Sequence, residues 1–302
     1  NGNNTAFSSG HVAVWGNPSL YCIQVDDPVF MNDNFSDFTF KDGQASYSTD
    51  CACTVNIPDA SFKSALLGEL SINTNNNSEI ECYEAAAYTG TIAVSSQSTP
   101  IEDLTGVEAF VNAVGLACDH NQIQNLNISS NTALTYLDCS FNPLSGLDVS
   151  ANTALTTISA SSTTIGALDV STNTALQTLA CGSNSISILN VSGNGALSQL
   201  DCRNNSISEL DVSSNSELTL LVCSNNPISF LDVSNNTALV SLDCNGCSLS
   251  ALDVTANPAL QNFYCASNTS LASLNMQNGH NDQLQFFLAN NNPALTCIQV
   301  DV

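Results

Sequence analysis

From Cys118 onward the chain repeats itself every 21 residues. Steps of that size lead to Cys139, Ala160, Cys181, Cys202, Cys223, Cys244 and Cys265, and a second series runs Asn121, Asn142, Thr163, Asn184, Asn205, Asn226, Cys247 and Asn268. A fixed period fixes an architecture more firmly than any local propensity. One short turn has too little surface to hide its own leucines, whereas stacked turns share a continuous core.

Each turn carries L-x-x-L-x-[CA]-x-x-N-x-[LI], as in Leu134, Leu137, Cys139, Asn142 and Leu144. The pattern resembles the leucine-rich repeat family. That resemblance implies a leucine-rich repeat solenoid of short parallel strands with few helices, its paired apolar side chains inward and its Asn bonding backbone where the chain turns. Parallel strands lie ~4.8 Å apart, so eight turns predict an array roughly 40 Å long. The rung cysteines Cys118, Cys139, Cys181, Cys202, Cys223, Cys244 and Cys265 are odd in number, and Ala160 stands among them. They read as a core ladder of small apolar filler. A thiolate metal string is disfavoured, because zinc needs four converging ligands and a ladder offers parallel ones.

The other half of each turn reads L-D-V-S-x-N-T-A-L and stacks Asp148, Asp169, Asp211, Asp232 and Asp253, with Asn190 interrupting. Carboxylates ~5 Å apart repel by about 1 kcal/mol per pair even in bulk water, so something must offset them. Either each Asp accepts hydrogen bonds from backbone N–H of the next turn, as Asn190 equally can, or Ca²⁺ lies along that edge.

Ahead of the repeats, residues 58 to 69 have the spacing of a short amphipathic helix with Asp59 or Ser61 as its cap. Asn73, Asn75, Asn77, Glu79, Ile80 and Glu84 then fall at the first, third, fifth, seventh, eighth and twelfth positions of an EF-hand-like loop. Asn replaces Asp three times and Ser78 sits where Gly belongs. A weak calcium site and a metal-free capping turn are the two readings; no cofactor is required. Residues 53 to 115 resemble the N-terminal cap of leucine-rich repeat surface and secreted proteins of Bacteroidota, which implies export by the type IX system. The sorting domain usual in that family does not occur in this sequence.

The two ends carry related text. NPSLYCIQVDDP stands near the start and NPALTCIQVDV at the finish, each preceded by an NG stretch, so residues 1 to 26 duplicate residues 278 to 301. The expected organisation is a tail segment with linker over 1–52, an α-containing N-terminal cap over 53–109, and a repeat array with its terminal cap segment over 110–302. A unit of about 275 residues (297 − 22) could repeat in tandem or dock as separate chains. Either arrangement gives a fibre, because a head-to-tail contact that does not close into a ring is open-ended. Two unrelated array ends in a larger protein are the plainer alternative. The resemblance to secreted proteins implies a disulfide between Cys22 and Cys51, with Cys53 and Cys82 stapling the cap. Cys297 is then the odd thiol, expected to bond the next unit.

Only Lys41, Lys63 and Arg203 are basic, against 27 acids, for a formal charge of −24. Such a surface repels nucleic acid and anionic membranes, and no apolar run reaches the ~18 residues that would span a bilayer. Its Asn, Ser and Thr content suits an extracellular, cell-surface setting. The opening NGNNTAFSSG reads as a mature product or a piece of something longer.

His11, His120 and His280 are the only histidines, and none lies in a nucleophile or metal motif. Asp119-His120 beside Cys118 is a surface pair next to a core rung. No enzyme is expected. The concave face offers Tyr136, Asp138, Gln199, Asp201, Arg203, Asp243 and Tyr264 as a mixed surface for protein or glycan. Two functions follow: an adhesive unit of an extracellular fibre whose partners are copies of itself, or a discrete module binding a cell-surface protein or glycan.

Overall fold

The computed structural model describes residues 22–24, 46–48 and 53–302. In chain order come β1 (Cys22–Gln24), β2 (Ser46–Ser48), helix α1 (Ala60–Leu67), helix α2 (Cys82–Ala87), β3 (Thr91–Ala93), β4 (Gly115–Ala117), β5 (Tyr136–Asp138), β6 (Thr157–Ser159) and β7 (Thr178–Ala180). They are followed by β8 (Gln199–Asp201), β9 (Leu220–Val222), β10 (Ser241–Asp243), β11 (Ala251–Asp253), β12 (Asn262–Tyr264), β13 (Ser273–Asn275), β14 (Phe286–Leu288) and β15 (Cys297–Gln299). β3 to β10, then β12 and β14, form one ten-stranded parallel sheet; β11, β13 and β15 form a second wall, and β1 pairs with β2. The molecule is a parallel β-solenoid with a small helical N-terminal cap.

Each long-sheet strand is three residues of the pattern flank, large apolar residue (Leu, Ile or Phe), flank. The central residues pair in register, Leu116 with Leu137, Leu137 with Ile158 and so on to Phe263 with Phe287. From Leu137 to Phe263 these central residues are fully buried, as are the rung residues from Cys118 to Cys265 and Ala160 among them. All seven rung thiols are free. Burial pushes Cys139, Cys181 and Cys265 up to about 12, so they stay neutral. Ala160 fits because the position needs only small apolar bulk.

Two residues past each rung the backbone enters the left-handed region, at His120, Phe141, Ser162, Ser183, Asn204, Asn225, Gly246 and Ser267. That turn re-aims the chain while its N–H groups still reach the next coil, as Phe141 N–H does to Ser161 O at 2.9 Å. The predicted Asn series lies directly behind it. Asn142 Nδ2 donates to Cys118 O (2.9 Å) and Cys139 O (3.1 Å), and its Oδ1 accepts from Ile123 N–H at 3.0 Å. A second buried Asn ladder, Asn131 to Asn257, ties the opposite side. Asn173 Nδ2, for instance, donates to Val149 O and Asn152 O of the preceding coil.

The Asp series is satisfied differently from the sequence expectation. Asp148, Asp169, Asp211, Asp232 and Asp253 each accept from the N–H two residues on in their own coil, at 2.9 Å, and Asn190 does the same to Ser192 at 3.0 Å. The donor is local because an Asx turn closes within three residues; Asp253 Oδ2 also accepts from the Asn275 amide of the next coil, at 3.4 Å.

At the N-terminal end the core is sealed. Asp59 caps α1 through Oδ1, taking Ser61 and Phe62 N–H at 2.9 Å, while its Oδ2 takes Glu102 N–H at 2.9 Å and Asp103 N–H at 3.2 Å. Phe62, Leu66, Ile80 and Ile92 are buried beneath. Cys53 and Cys82 are joined by a disulfide across 5.5 Å between Cα atoms. The long sheet starts at β3, inside the segment expected to be cap alone, so the cap supplies the first coil. The tail segment 1–52, apart from the two strands, and the Cys22–Cys51 pairing lie outside the described residues.

The other end is built from longer steps. β12 to β14 and β13 to β15 pair Asn262 with Phe286 and Ser273 with Cys297. The last coil is clasped by Asp301, whose carboxylate accepts from Gly279 and Asn281 N–H at 2.9 Å each. This explains why an NG stretch and a CIQVD stretch travel together. Yet Phe286 is 60% exposed, Leu288 44% and Ile298 42%. The described residues leave this end open.

Candidate binding face of the long sheet

Strand register turns the sequence candidates into two columns. The first residues of the strands line up as Tyr136, Thr157, Thr178, Gln199, Leu220, Ser241 and Asn262, and the third residues as Asp138, Ser159, Ala180, Asp201, Val222, Asp243 and Tyr264. All flank inward apolar positions and share one face. They do not converge: Asp138 and Tyr264 are six strand steps apart, roughly 29 Å at ~4.8 Å per step. The face is a track with two side-chain clusters.

One cluster sits near the cap. Tyr136 Oη lies 3.5 Å from Asp138 Oδ2. His120 stacks on Phe141, centroids 4.2 Å apart and planes 20° apart, and its Nδ1 meets Asp119 Oδ2 at 2.8 Å. Ser95 Oγ donates to the other Asp119 oxygen. Burial pushes the Asp119 carboxyl up, but the Ser95 and His120 contacts outweigh it and hold it below the usual range. Burial, then the charges of Asp138 and Asp119, raises the Tyr136 phenol. Sequence reading picked Tyr136 and Asp138 but passed over the His120–Phe141 pair. The available signal was two aromatic rings at a left-handed turn position otherwise filled by Ser, Asn and Gly.

The second cluster centres on Arg203. Its Nε donates to both Asp201 oxygens at 2.9 Å, and this bond raises the guanidinium pKa, with Asp243 adding a smaller attraction. The stem crosses Gly182, where a Cβ would come within 3.1 Å of Arg203 Cγ. Gln199 lies in the neighbouring column, while Tyr264 stands apart at the far end.

Neither cluster composes hydrolytic machinery. Ser95 and His120 both bond Asp119, so the hydroxyl is held by the carboxylate and not by the imidazole that would have to activate it. Among the described residues no group of three or more His, Cys, Asp or Glu is placed to hold a metal ion. In the 73–84 loop most side-chain oxygens are bonded within the protein, but Asn73 Oδ1 is buried without a hydrogen-bond partner among the described residues. Glu84 accepts from Thr74 and Asn75 N–H, Glu81 from the Asn75 and Asn77 amides, and Glu79 pairs with Lys63 at 2.6 Å. Asn75 and Asn77 Oδ1 each accept a backbone N–H. Cys247, standing at an Asn rung, is buried with its thiol against Cys223 O at 3.4 Å.

No family model matches the sequence, and no curated protein matches it. Solved structures do. The functional domain of InlJ from Listeria monocytogenes, described as including a cysteine ladder, is 29% identical with a TM-score of 0.57, over 80% of this chain and 61% of that one. A leucine-rich repeat protein of Leptospira interrogans gives 21% identity and a TM-score of 0.55 over 64% of this chain and 51% of that one. An internalin C2 from L. monocytogenes gives 18% and 0.51 over 84% of this chain and all of the other. The fold is a leucine-rich repeat solenoid. The chain spans less than two thirds of the InlJ domain and about half of the Leptospira protein. The InlJ domain includes a cysteine ladder, and the rung thiols of this chain are buried behind the exposed face.

Proposed function

We propose that this chain is an extracellular binding module that recognises a protein or glycan along the exposed face of the long sheet. The observation that carries it is the His120–Phe141 stack beside Asp119, with Tyr136 and Asp138 on the adjoining strand. Aromatic rings beside fixed carboxylates supply both a stacking platform and hydrogen-bond acceptors, the usual ingredients of a recognition hot spot. The net charge of −24 favours a partner that is neutral or basic where it touches. The likeness to the InlJ domain supports a binding role, and the Cys53–Cys82 disulfide supports an oxidising, extracellular location. Origin in Bacteroidota with type IX export rests on the cap resemblance alone.

Tyr136→Ala with Phe141→Ala should weaken capture on a glycan array or a panel of cell-surface proteins by roughly 30-fold, a hot-spot loss of about 2 kcal/mol, without lowering the melting temperature. Unchanged capture by a correctly folded double variant would remove the reading.

A second reading is favoured by the open end. Exposed Phe286, Leu288 and Ile298, together with the duplicated terminal text, support stacking of copies head to tail into an adhesive fibre.

A further inference from the structure

We propose that β1 is a placeholder for β15 of a neighbouring copy, and that β2 is the edge on which that neighbour's β15 docks. This rests on the stacking reading and is independent of ligand recognition by the long sheet.

The two strands are the same segment of text. NPSLYCIQVD (17–26) and NPALTCIQVD (292–301) differ only at Ser19/Ala294 and Tyr21/Thr296. In the first copy of that text, β1 pairs in parallel with β2, Cys22 opposite Ser46 and Gln24 opposite Ser48. In the second, β15 pairs with β13, Ser273 opposite Cys297, and among the described residues its other edge has no partner. β2 in turn lies against α2 of the cap. Putting a neighbour's β15 where β1 sits therefore continues its wall β11, β13, β15 through β2 into the next cap, every strand parallel.

The energetics point the same way. β1 and β15 offer β2 the same backbone donors and acceptors, so exchanging one for the other leaves the ladder count unchanged. The difference is that β15 brings with it the open end of a whole array. Phe286, Leu288 and Ile298 then face a cap instead of water, and apolar burial near 25 cal/mol per Å² drives the exchange. Because β15 enters one end and β2 sits at the other, the contact is heterologous and repeats without closing.

Disulfide trapping in the full chain tests the register. Neighbouring strands put paired Cα atoms ~4.8 Å apart, inside the range a disulfide spans. A chain carrying Cys51→Ser, Ser46→Cys and Cys22→Ser has, besides the buried free thiols and the Cys53–Cys82 disulfide, only position 46 and the exposed Cys297 as thiols. Under mild oxidation with diamide it should form a series of linked oligomers, with peptide mapping joining position 46 to Cys297. A second chain with Cys51→Ser and Ser46→Cys keeps Cys22; oxidised at high dilution, where copies do not meet, it should lock position 46 to Cys22 within one molecule and then stay monomeric when concentrated. Oligomers in sedimentation whose links map elsewhere, such as Cys297 to Cys297, would overturn the placeholder role while leaving stacking intact. Equal oligomers from both chains would overturn it too. Monomers of both at every concentration would remove stacking and this inference together.

Discussion

Single side chains hold this solenoid by repetition of small contacts. Asn173, buried at both ends of its amide N–H bonds, removes two carbonyls from want of a second partner, a net of roughly 1 kcal/mol per hydrogen bond. The Asp series works at the surface and titrates. Asp148, Asp169, Asp211 and Asp232 are each held below the usual Asp range by the Ser two residues on. A depressed folded pKa gives stability that is full above the unfolded value, about 3.9, and is lost as pH falls through the folded value. Asn190 makes the same bond without a proton to gain. Changing those four Asp to Asn should therefore leave neutral-pH melting nearly unchanged and flatten its decline in acid, read as melting temperature against pH. A decline as steep as in the parent would show that other carboxylates govern it. The period made the Asp column legible, but not its donors, because spacing along a stack says nothing about bonds closed inside a turn.

At the level of elements, the strands were readable because Leu-x-Cys needs only one inward side and the 21-residue step repeats it. The left-handed turns were not, since His120, Phe141 and Ser183 carry no intrinsic preference strong enough to announce them; Asn204, Asn225 and Gly246 do. That omission hid the His120–Phe141 stack. The cap helix was legible from its spacing, and Asp59 from its place ahead of it. Its second role was not, because Glu102 and Asp103 are far along the chain. Burial pushes the Asp59 carboxyl up, yet four backbone donors outweigh it and hold it low. Asp59→Ala should cost about 1–2 kcal/mol and speed hydrogen exchange both in α1 and around residues 101–104. Exchange that quickens in α1 alone would mean the second pair of bonds is idle.

Across the whole molecule the ends differ. The N-terminal core is covered by α1 and α2, while the last coil leaves Phe286 and Ile298 in water. In a stack each coil is stabilised by its neighbours, so a coil with one neighbour is the weakest. Native-state hydrogen exchange should be slowest in β7 to β9 and fastest in β14 and β15, with a gradient between them; uniform protection from end to end would contradict nearest-neighbour stability. Two identical CIQVD segments were plain in the sequence, whereas their pairing partners were not, because a three-residue strand such as Ser46–Ser48 has no apolar pattern to betray it.

The carbonyl and amide rows between coils all run along the long axis. A pull on the two ends would load those rows in series, so tension would open the spring one coil at a time and lengthen it by a coil's contour at each step. A tether made this way would stretch under flow and absorb a jolt before its grip failed.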